Sequence, residues 1–219
     1  MKKNGIKLLV FDWDGTLADS TTLIVAAMQA AISQLQYQAR SDAQIRDIIG
    51  LGLVEAAQCL FPGLERDGHE LIANGYRLHY AQRALETSLF QEVPDTLSAL
   101  QARGYRMAIA TGKSRRGLES SLRQTGLEGF FHATRCADET CSKPHPQMLH
   151  EILDEMDLRP DHAVMIGDSE YDMKMALNAG MSPIAVSYGV HERTRLLKYK
   201  PLACLGSLAD LLDWLPASH

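Results

Sequence analysis

Apolar positions along the chain follow two different periods. Residues 8–11 form a short continuous apolar run that ends abruptly in polar residues, which is typical of a buried strand. From residue 19 to about residue 88, apolar side chains instead recur at helical spacing with no strand-like alternation, as at Leu23, Ala27 and Ala31. Further helices are predicted at residues 42–49, 54–60 and 64–85.

Beyond residue 88 the pattern changes to alternating strands and helices. Pro94 is placed to open a helix that Gly104 closes. Strands are predicted at residues 105–110, 162–166 and 183–186, with a possible short strand at residues 133–136 and a possible edge strand near residues 202–205. Helices are predicted at residues 114–124, 147–156, 170–178 and 207–215. This alternation predicts an α/β fold, a doubly wound parallel (Rossmann-like) sheet with helices on both faces.

The change of period near residue 88 also predicts the domain organisation. Residues 1–15 and 89–219 should form a discontinuous α/β core, and residues 16–88 should form an inserted helical cap domain. The two connections, near residues 15–19 and 87–93, are the predicted hinges of this cap.

Composition narrows the classes of protein. The chain has 219 residues, 46% of them hydrophobic and 22% charged, as in an ordinary globular protein. Its net charge of -5 and the lack of a Lys/Arg-rich run argue against nucleic-acid binding. No apolar run approaches the ~20 residues that span a membrane. The four cysteines show no CxxC spacing and there is no leader-like segment, so we expect a cytoplasmic protein, a monomer or weak dimer, with reduced thiols.

Polar residues follow three of the predicted strands. Asp12 and Asp14 end the first strand, Thr111 ends the second, and Asp168 follows the strand at residues 162–166. Lys143 lies in a proline-containing connector at the same rim. Parallel strands bring their carboxyl ends to one edge of a sheet, so these side chains should converge there. Neighbouring carboxylates repel each other unless a cation lies between them, and a divalent cation suits oxygen ligands.

Four stretches carry a family resemblance. FDWDGT, ATGK, SKPHP and GDSEYD resemble the four motifs of the haloacid dehalogenase superfamily of phosphotransferases, in the family's order, across residues 11–172. The helical insertion after the first motif resembles the C1-type cap of that superfamily. The subgroup that the chain resembles most is the phosphoglycolate-phosphatase-like hydrolases, which implies a small phosphorylated metabolite as substrate.

The resemblance implies a role for each acid. Asp12 would be the nucleophile, forming an aspartyl-phosphate. Asp14 would protonate the leaving oxygen and later take a proton from water. The implied cofactor is Mg²⁺, held by a carboxylate oxygen of Asp12, the backbone carbonyl of Asp14 and a carboxylate oxygen of Asp168.

Other residues would serve the phosphoryl group. Lys143 would balance the charge of the nucleophile and of the phosphoryl oxygens, and Thr111 would hold those oxygens together with the backbone N–H groups of Trp13 and Gly112. Asp172, one helical turn after the metal-binding acid, would orient a metal-bound water or Lys143.

The cap offers a possible substrate contact. The turn at residues 50–52 could tip toward the cleft, and Arg46 beside it could read a carboxylate on the leaving group, although an exposed helix-end arginine explains it equally well.

Together these observations predict a Mg²⁺-dependent phosphatase that hydrolyses a small phosphate monoester through an aspartyl-phosphate. A phosphomutase of the β-phosphoglucomutase type would use the same core but return the phosphoryl group to a sugar. The absence of lysine between Thr16 and Ser88 weighs mildly against it. A non-catalytic ligand-binding protein on the same fold is the alternative from another class. The four residues Asp12, Asp14, Lys143 and Asp168 argue against that alternative, because binding alone would not require all of them.

Overall fold

The computed structural model describes residues 5–216, apart from the side chain of Leu85. Residues 1–4 and 217–219, which fall within the predicted core ranges, lie outside it. The strands are β1 (Leu8–Phe11), β2 (Ala18–Asp19), β3 (Ser88–Leu89), β4 (Arg106–Thr111), β5 (Ala133–Cys136), β6 (Ala163–Gly167), β7 (Ser182–Val186) and β8 (Cys204–Leu205). The helices are α1 (Thr21–Gln34), α2 (Asp42–Asp47), α3 (Leu53–Leu60), α4 (Arg66–Arg83), α5 (Val93–Ala102), α6 (Arg115–Thr125), α7 (Gln147–Glu155), α8 (Glu170–Asn178), α9 (Arg193–Leu196) and α10 (Asp210–Trp214).

Six strands form one parallel sheet, in the order β5-β4-β1-β6-β7-β8. The central strand β1 pairs on both sides, so that Phe11 lies between Ile109 of β4 and Ile166 of β6. All four of its residues are buried, as expected of a strand covered by helices on both faces. The predicted α/β fold with a parallel, Rossmann-like sheet is confirmed.

The alternating side chains of β1 enter two hydrophobic clusters, one on each face of the sheet. Leu9 and Phe11 pack on the face covered by α5 and α10. Leu8 and Val10 pack on the opposite face, which α7 and α8 cover. Because β1 is paired on both sides and covered on both faces, it lies inside the sheet. The residues that follow it therefore lie near the middle of the edge formed by the carboxyl ends of the strands.

Helices α1–α4 follow β1 and pack on one another around a separate cluster that includes Ile24, Met28, Ile45 and Ile72. The helical character predicted for this segment is therefore confirmed. The structure adds a two-stranded antiparallel ribbon of β2 and β3, in which Ala18 pairs with Leu89. This ribbon lies at the two predicted hinges. Two-residue strands are too short to show a period in the sequence, and their pairing depends on residues far apart along the chain. The short helix α9 was not predicted either.

In the portion of the chain that the structure describes, we find no helix with the length and apolar composition that a bilayer crossing requires.

Candidate active site

Three buried carboxylates meet at the carboxyl edge of the sheet. Asp12 follows β1, Asp168 follows β6, and Asp172 lies in the first turn of α8. Their carboxylate oxygens lie within 4.8 Å of one another. Lys143, from the connector between β5 and α7, points into the cluster, with its Nζ 2.7 Å from Asp12 Oδ1 and 2.7 Å from Asp172 Oδ1. The convergence predicted from the strand ends is thus realised in space.

Asp12 has unused ligand capacity. Both of its carboxylate oxygens are buried, and neither accepts a well-aligned hydrogen bond from any residue that the structure describes, although Oδ1 is close to the lysine ammonium. A buried carboxylate oxygen without a partner is costly. The acid cluster contains neither His nor Cys, so its ligands are all oxygens. Such a donor set fits Mg²⁺ and does not suit Zn²⁺.

Asp168 is held in place by its neighbours. Its Oδ1 accepts a hydrogen bond from Thr16 Oγ1 at 2.9 Å, and its Oδ2 accepts one from the Val190 backbone N–H at 2.7 Å. Gly15 makes this packing possible, because a Cβ there would lie 2.2 Å from Asp168 Oδ2. The same glycine has a φ of +82°, a conformation that other residues rarely adopt.

Burial controls the protonation of the cluster. Desolvation raises the pKa of Asp12 well above its usual value, with further increases from Asp172 and Asp168, and the charge of Lys143 only partly offsets this. Desolvation and the charge of Asp172 raise the pKa of Asp168 to about 7. Burial alone would lower the pKa of Lys143, but the surrounding carboxylates outweigh it, so that pKa lies above its usual value. One ammonium therefore faces three acids, and a divalent cation would complete the charge balance.

Asp172 serves the cluster from its edge. One oxygen accepts a hydrogen bond from Lys143 Nζ, and the other accepts bonds from the backbone N–H and the hydroxyl of Ser169. The Ser169 hydroxyl in turn accepts from the Asp172 N–H, which completes a capping box at the start of α8. The bond to the Lys143 ammonium fits the predicted orienting role of Asp172.

Asp14 lies outside this cluster and has its own partners. Its Oδ1 accepts a hydrogen bond from Ser20 Oγ at 2.6 Å. The ammonium of Lys113 lies 3.0 and 3.1 Å from its two oxygens. Tyr80, on α4 of the helical segment, places its hydroxyl 3.3 Å from the same ammonium. Lys113 was not among the site residues predicted from the sequence. Its place two residues after Thr111, in the loop that follows β4, was the available signal.

A cavity of about 760 Å³ lies between the helical segment and the strand edge. Its sheet side is lined by Asp12, Trp13, Asp14, Thr111 and Gly112. The structure thus brings the predicted nucleophile, the predicted acid/base and three of the four predicted phosphate-binding residues to the wall of one cavity. Lys143, Asp168 and Asp172 form the buried cluster behind it.

The predicted loop at residues 50–52 contacts this edge of the sheet. A Cβ on Gly112 would lie 2.4 Å from the Leu51 carbonyl oxygen, so the approach of the two loops requires a glycine there. The Gly52 N–H donates to Ser142 Oγ at 2.7 Å. Arg46, in contrast, is exposed and is not among the residues that line the cavity. The contact proposed for Arg46 with the leaving group therefore has no support in this arrangement, because α2 directs the arginine outward.

A polar cluster joins the helical segment to the core on the other side of that loop. Asp47, at the end of α2, forms an ion pair with Arg195 of α9, which also donates to Glu170 at 2.6 Å. The Asp47 carbonyl accepts hydrogen bonds from the Tyr171 hydroxyl at 2.9 Å and from His191 Nε2 at 3.3 Å. Three residues of the core thus hold a single residue of the helical segment.

The motifs and the geometry agree with a family comparison. The model of the haloacid dehalogenase-like hydrolases matches residues 9–186. The chain belongs to this family. The family and the enzyme class predicted from the motifs are thereby confirmed.

Individual relatives cover nearly the whole protein. It is 31% identical over 214 residues to pyrophosphatase PpaX of Bacillus pumilus, covering 97% of each chain. It is also 31% identical over 222 residues to a phosphoglycolate phosphatase of Vibrio parahaemolyticus, again over 97% of each chain. Among solved structures, a protein from Bacteroides fragilis described as a haloacid dehalogenase-like hydrolase is 27% identical, with a TM-score of 0.88, over 94% of this chain and 99% of the other.

Proposed function

We propose that this member of the haloacid dehalogenase-like hydrolases is a Mg²⁺-dependent phosphatase that hydrolyses a small phosphate monoester through an aspartyl-phosphate on Asp12. The observation that supports this best is the state of Asp12, a buried carboxylate beside two further acids, whose Oδ1 meets the Lys143 ammonium and whose Oδ2 accepts no hydrogen bond from the residues that the structure describes. A structural acid would be expected to have its hydrogen bonds satisfied. A nucleophile or metal ligand, in contrast, requires an oxygen that no hydrogen bond occupies.

The chain's own residues divide the reaction between them. Asp12 attacks phosphorus, and the ester bond to the leaving oxygen breaks as the bond to the carboxylate forms. Asp14, outside the acid cluster, gives a proton to that leaving oxygen. In the second half-reaction Asp14 takes a proton from water, which attacks phosphorus and releases Asp12 with inorganic phosphate.

Other residues hold the phosphoryl oxygens. Lys143, positioned by Asp172, offers its ammonium to the charge on Asp12 and on the phosphoryl group. Thr111, Trp13 and Gly112 line the cavity, and in this proposal the Thr111 hydroxyl and the backbone N–H groups of Trp13 and Gly112 bind the remaining oxygens.

Mg²⁺ bound by Asp12, Asp168 and the carbonyl of Asp14 would neutralise charge and so allow an anion to attack an anionic ester. The all-oxygen donor set and the excess of acids over lysine favour this ion. Activity should accordingly disappear with a chelator and return with Mg²⁺.

We also propose that residues 16–88 act as a cap that opens and closes over the cavity. The separate hydrophobic cluster of α1–α4, the ribbon at the two connections and the loop contact at Gly112 support this. Closure would exclude bulk water during phosphoryl transfer, and opening would admit substrate.

The deciding experiment measures phosphate release from a panel of phosphorylated metabolites, with and without Mg²⁺. The unmodified protein should release phosphate, and Asp12→Asn should abolish release while leaving the fold intact. Asp161→Asn is the matched control, because Asp161 forms an exposed ion pair with Arg159 at the amino end of β6. Release by Asp12→Asn at the rate of the unmodified protein would contradict the assignment. Formation of an isomeric sugar phosphate without free phosphate would indicate a mutase instead.

A further inference from the structure

One cation of the cavity has no role in the mechanism described so far. Lys113 lines the cavity, yet its side chain is only 8% exposed. The other cations among the cavity-lining residues, Arg66, Arg77 and Arg116, are all exposed. A buried lysine needs a partner, and Lys113 has Asp14 and the Tyr80 hydroxyl.

The position of Lys113 relates it to the leaving group rather than to the nucleophile. Lys143 is already engaged between Asp12 and Asp172 on the nucleophile side. Lys113 instead contacts both oxygens of Asp14, the residue that must reach the leaving oxygen. Two successive hydrogen-bond distances place the Lys113 ammonium within roughly 6 Å of that oxygen.

A charged group on the leaving fragment would therefore meet this ammonium. A carboxylate or a phosphate attached one or two bonds beyond the leaving oxygen falls within the same range. A neutral alkyl group at that place would leave Lys113 paired with Asp14 and would gain nothing from it. Tyr80 holds the ammonium from the side of the helical segment, with its ring centroid 4.8 Å from Nζ.

We propose that Lys113 selects phosphate esters and anhydrides whose leaving group carries a second anion close to the bond that breaks. This inference rests on the proposed phosphatase function and adds a substrate class to it. The recognised chemistry is the second negative charge, whether from a carboxylate or a phosphate. A charge-assisted hydrogen bond of this kind, in a partly desolvated cavity, contributes more than a neutral one.

The experiment compares three Mg²⁺-loaded reactions of the full-length protein. The substrates are 2-phosphoglycolate, pyrophosphate and ethyl phosphate, which supply a carboxylate, a phosphate and no second charge. We expect kcat/KM for at least one of the two anionic substrates to exceed that for ethyl phosphate by at least about 10-fold. Which one is preferred identifies the source of the anion. Equal values for all three substrates in the unmodified protein would overturn the role of Lys113 before any variant is made.

Variants then assign the preference to the residue. Lys113→Met should reduce the ratio of kcat/KM between the preferred anionic substrate and ethyl phosphate by about 10- to 100-fold, and Lys113→Arg should restore part of it. Lys113→Gln provides a second neutral variant if the Met variant does not fold. Arg116→Met, which removes an exposed charge from the same cavity, should leave the ratio unchanged. An equal loss of rate on all three substrates in Lys113→Met, or an equal fall of the ratio in Arg116→Met, would overturn the proposal.

The outcomes separate this inference from the function beneath it. If ethyl phosphate releases phosphate with Mg²⁺ but the anionic substrates are not preferred, the phosphatase stands and the selectivity of Lys113 is wrong. If none of the three substrates, nor p-nitrophenyl phosphate, is hydrolysed with Mg²⁺, the proposed function itself fails.

Discussion

Lys143 and Asp172 form a completely buried ion pair, with 2.7 Å between Nζ and Oδ1. The pair links α8 to the connector after β5 and points the ammonium at Asp12, which lies at the same distance on its other side. A lysine that is shared in this way cannot turn away from the nucleophile without leaving its charge unpaired in the core.

Asp172→Asn should impair the reaction more than the fold. The substitution keeps the shape of the side chain but removes the charge that holds Lys143, so we expect kcat to fall about 10- to 100-fold, as is usual when an outer partner of a metal or catalytic group is lost. Steady-state kinetics and circular dichroism would test this. Asp161→Asn is the control. A kcat within twofold of the unmodified protein would show that Lys143 needs no second carboxylate.

As the pH rises through about 7, the metal-free protein should lose stability and its binding of Mg²⁺ should strengthen. Because the pKa of Asp168 is raised to about 7 from 3.8, the folded metal-free protein retains a proton that the unfolded chain has lost. This contribution to stability is fully present below the unfolded pKa and is lost as the pH rises through the folded one. We expect the Tm of the metal-free protein to fall from about pH 5 to about pH 8.

The same linkage makes the metal effect pH-dependent. Mg²⁺ requires the ionised carboxylate, so it should raise the Tm more at about pH 8 than at about pH 6. Thermal unfolding with chelator and with Mg²⁺ gives both values, and Asp168→Asn should remove most of the difference. An identical Mg²⁺ shift at both pH values in the unmodified protein would contradict the assignment of Asp168.

Asp14→Ala should separate the two half-reactions. A phenol that is already acidic needs no proton to leave, so p-nitrophenyl phosphate should still phosphorylate Asp12, whereas the water step would lack its base. Rapid-mixing absorbance should show a burst of about one equivalent of phenol per enzyme, followed by slow turnover. Ethyl phosphate should show no comparable burst. Steady turnover of both substrates at the unmodified rate, in a variant shown to fold and bind Mg²⁺, would exclude Asp14 as acid/base.

Gly15→Ala should destabilise the site and the fold together. The φ of +82° costs about 1–2 kcal/mol for a residue with a Cβ. The new methyl group would also collide with Asp168, which lies 2.2 Å away. We expect a Tm lower by several degrees and loss of most Mg²⁺-dependent activity. Gly63→Ala is the control, since a Cβ there would meet nothing within 4 Å. Equal Tm values for both variants would refute this.

Asp47→Ala should weaken the attachment of the helical segment to the core without unfolding the protein. The Asp47 side chain is 51% exposed, so its pairing with Arg195 contributes at most about 1 kcal/mol. Such a loss would shift the proposed closed–open equilibrium of the cap about fivefold, which should appear as a higher KM and as faster proteolysis in the connections at residues 15–19 and 87–93. Asp161→Ala should change neither. Unaltered KM and proteolysis in Asp47→Ala would show that this ion pair does not hold the helical segment against the core.

Short-range patterns of apolar and polar residues in the sequence were enough to predict much of the fold. Buried strands with continuous apolar runs, such as β1 and β6, were predicted within a residue or so, since a strand covered on both faces has a recognisable composition. The ribbon of β2 and β3 was missed because its pairing joins Ala18 to Leu89, and neither short segment has a pattern of its own.

The candidate site, like the fold, was predicted only in part from the sequence. Asp12, Asp14 and Asp168 could be found from the sequence, because each ends a strand whose position in a parallel sheet is predictable. The partners of Asp14 could not. Lys113 and Ser20 reach Asp14 from two separate loops. Arg46 turns outward, although it lies only a few residues before the loop at residues 50–52, which lines the cavity.

The sequence by itself determined the parallel sheet, the helical insertion and the set of residues gathered at the strand ends. The tertiary structure alone decided how those residues are paired: Lys143 with Asp12 and Asp172, Lys113 with Asp14, and Asp47 with Arg195. The physical reason is the range of the forces involved. Hydrophobic periodicity acts between near neighbours and is therefore visible along the chain. The choice of partner for a buried charge is made across a distance of about 3 Å in space, between residues that the folding of the whole chain brings together.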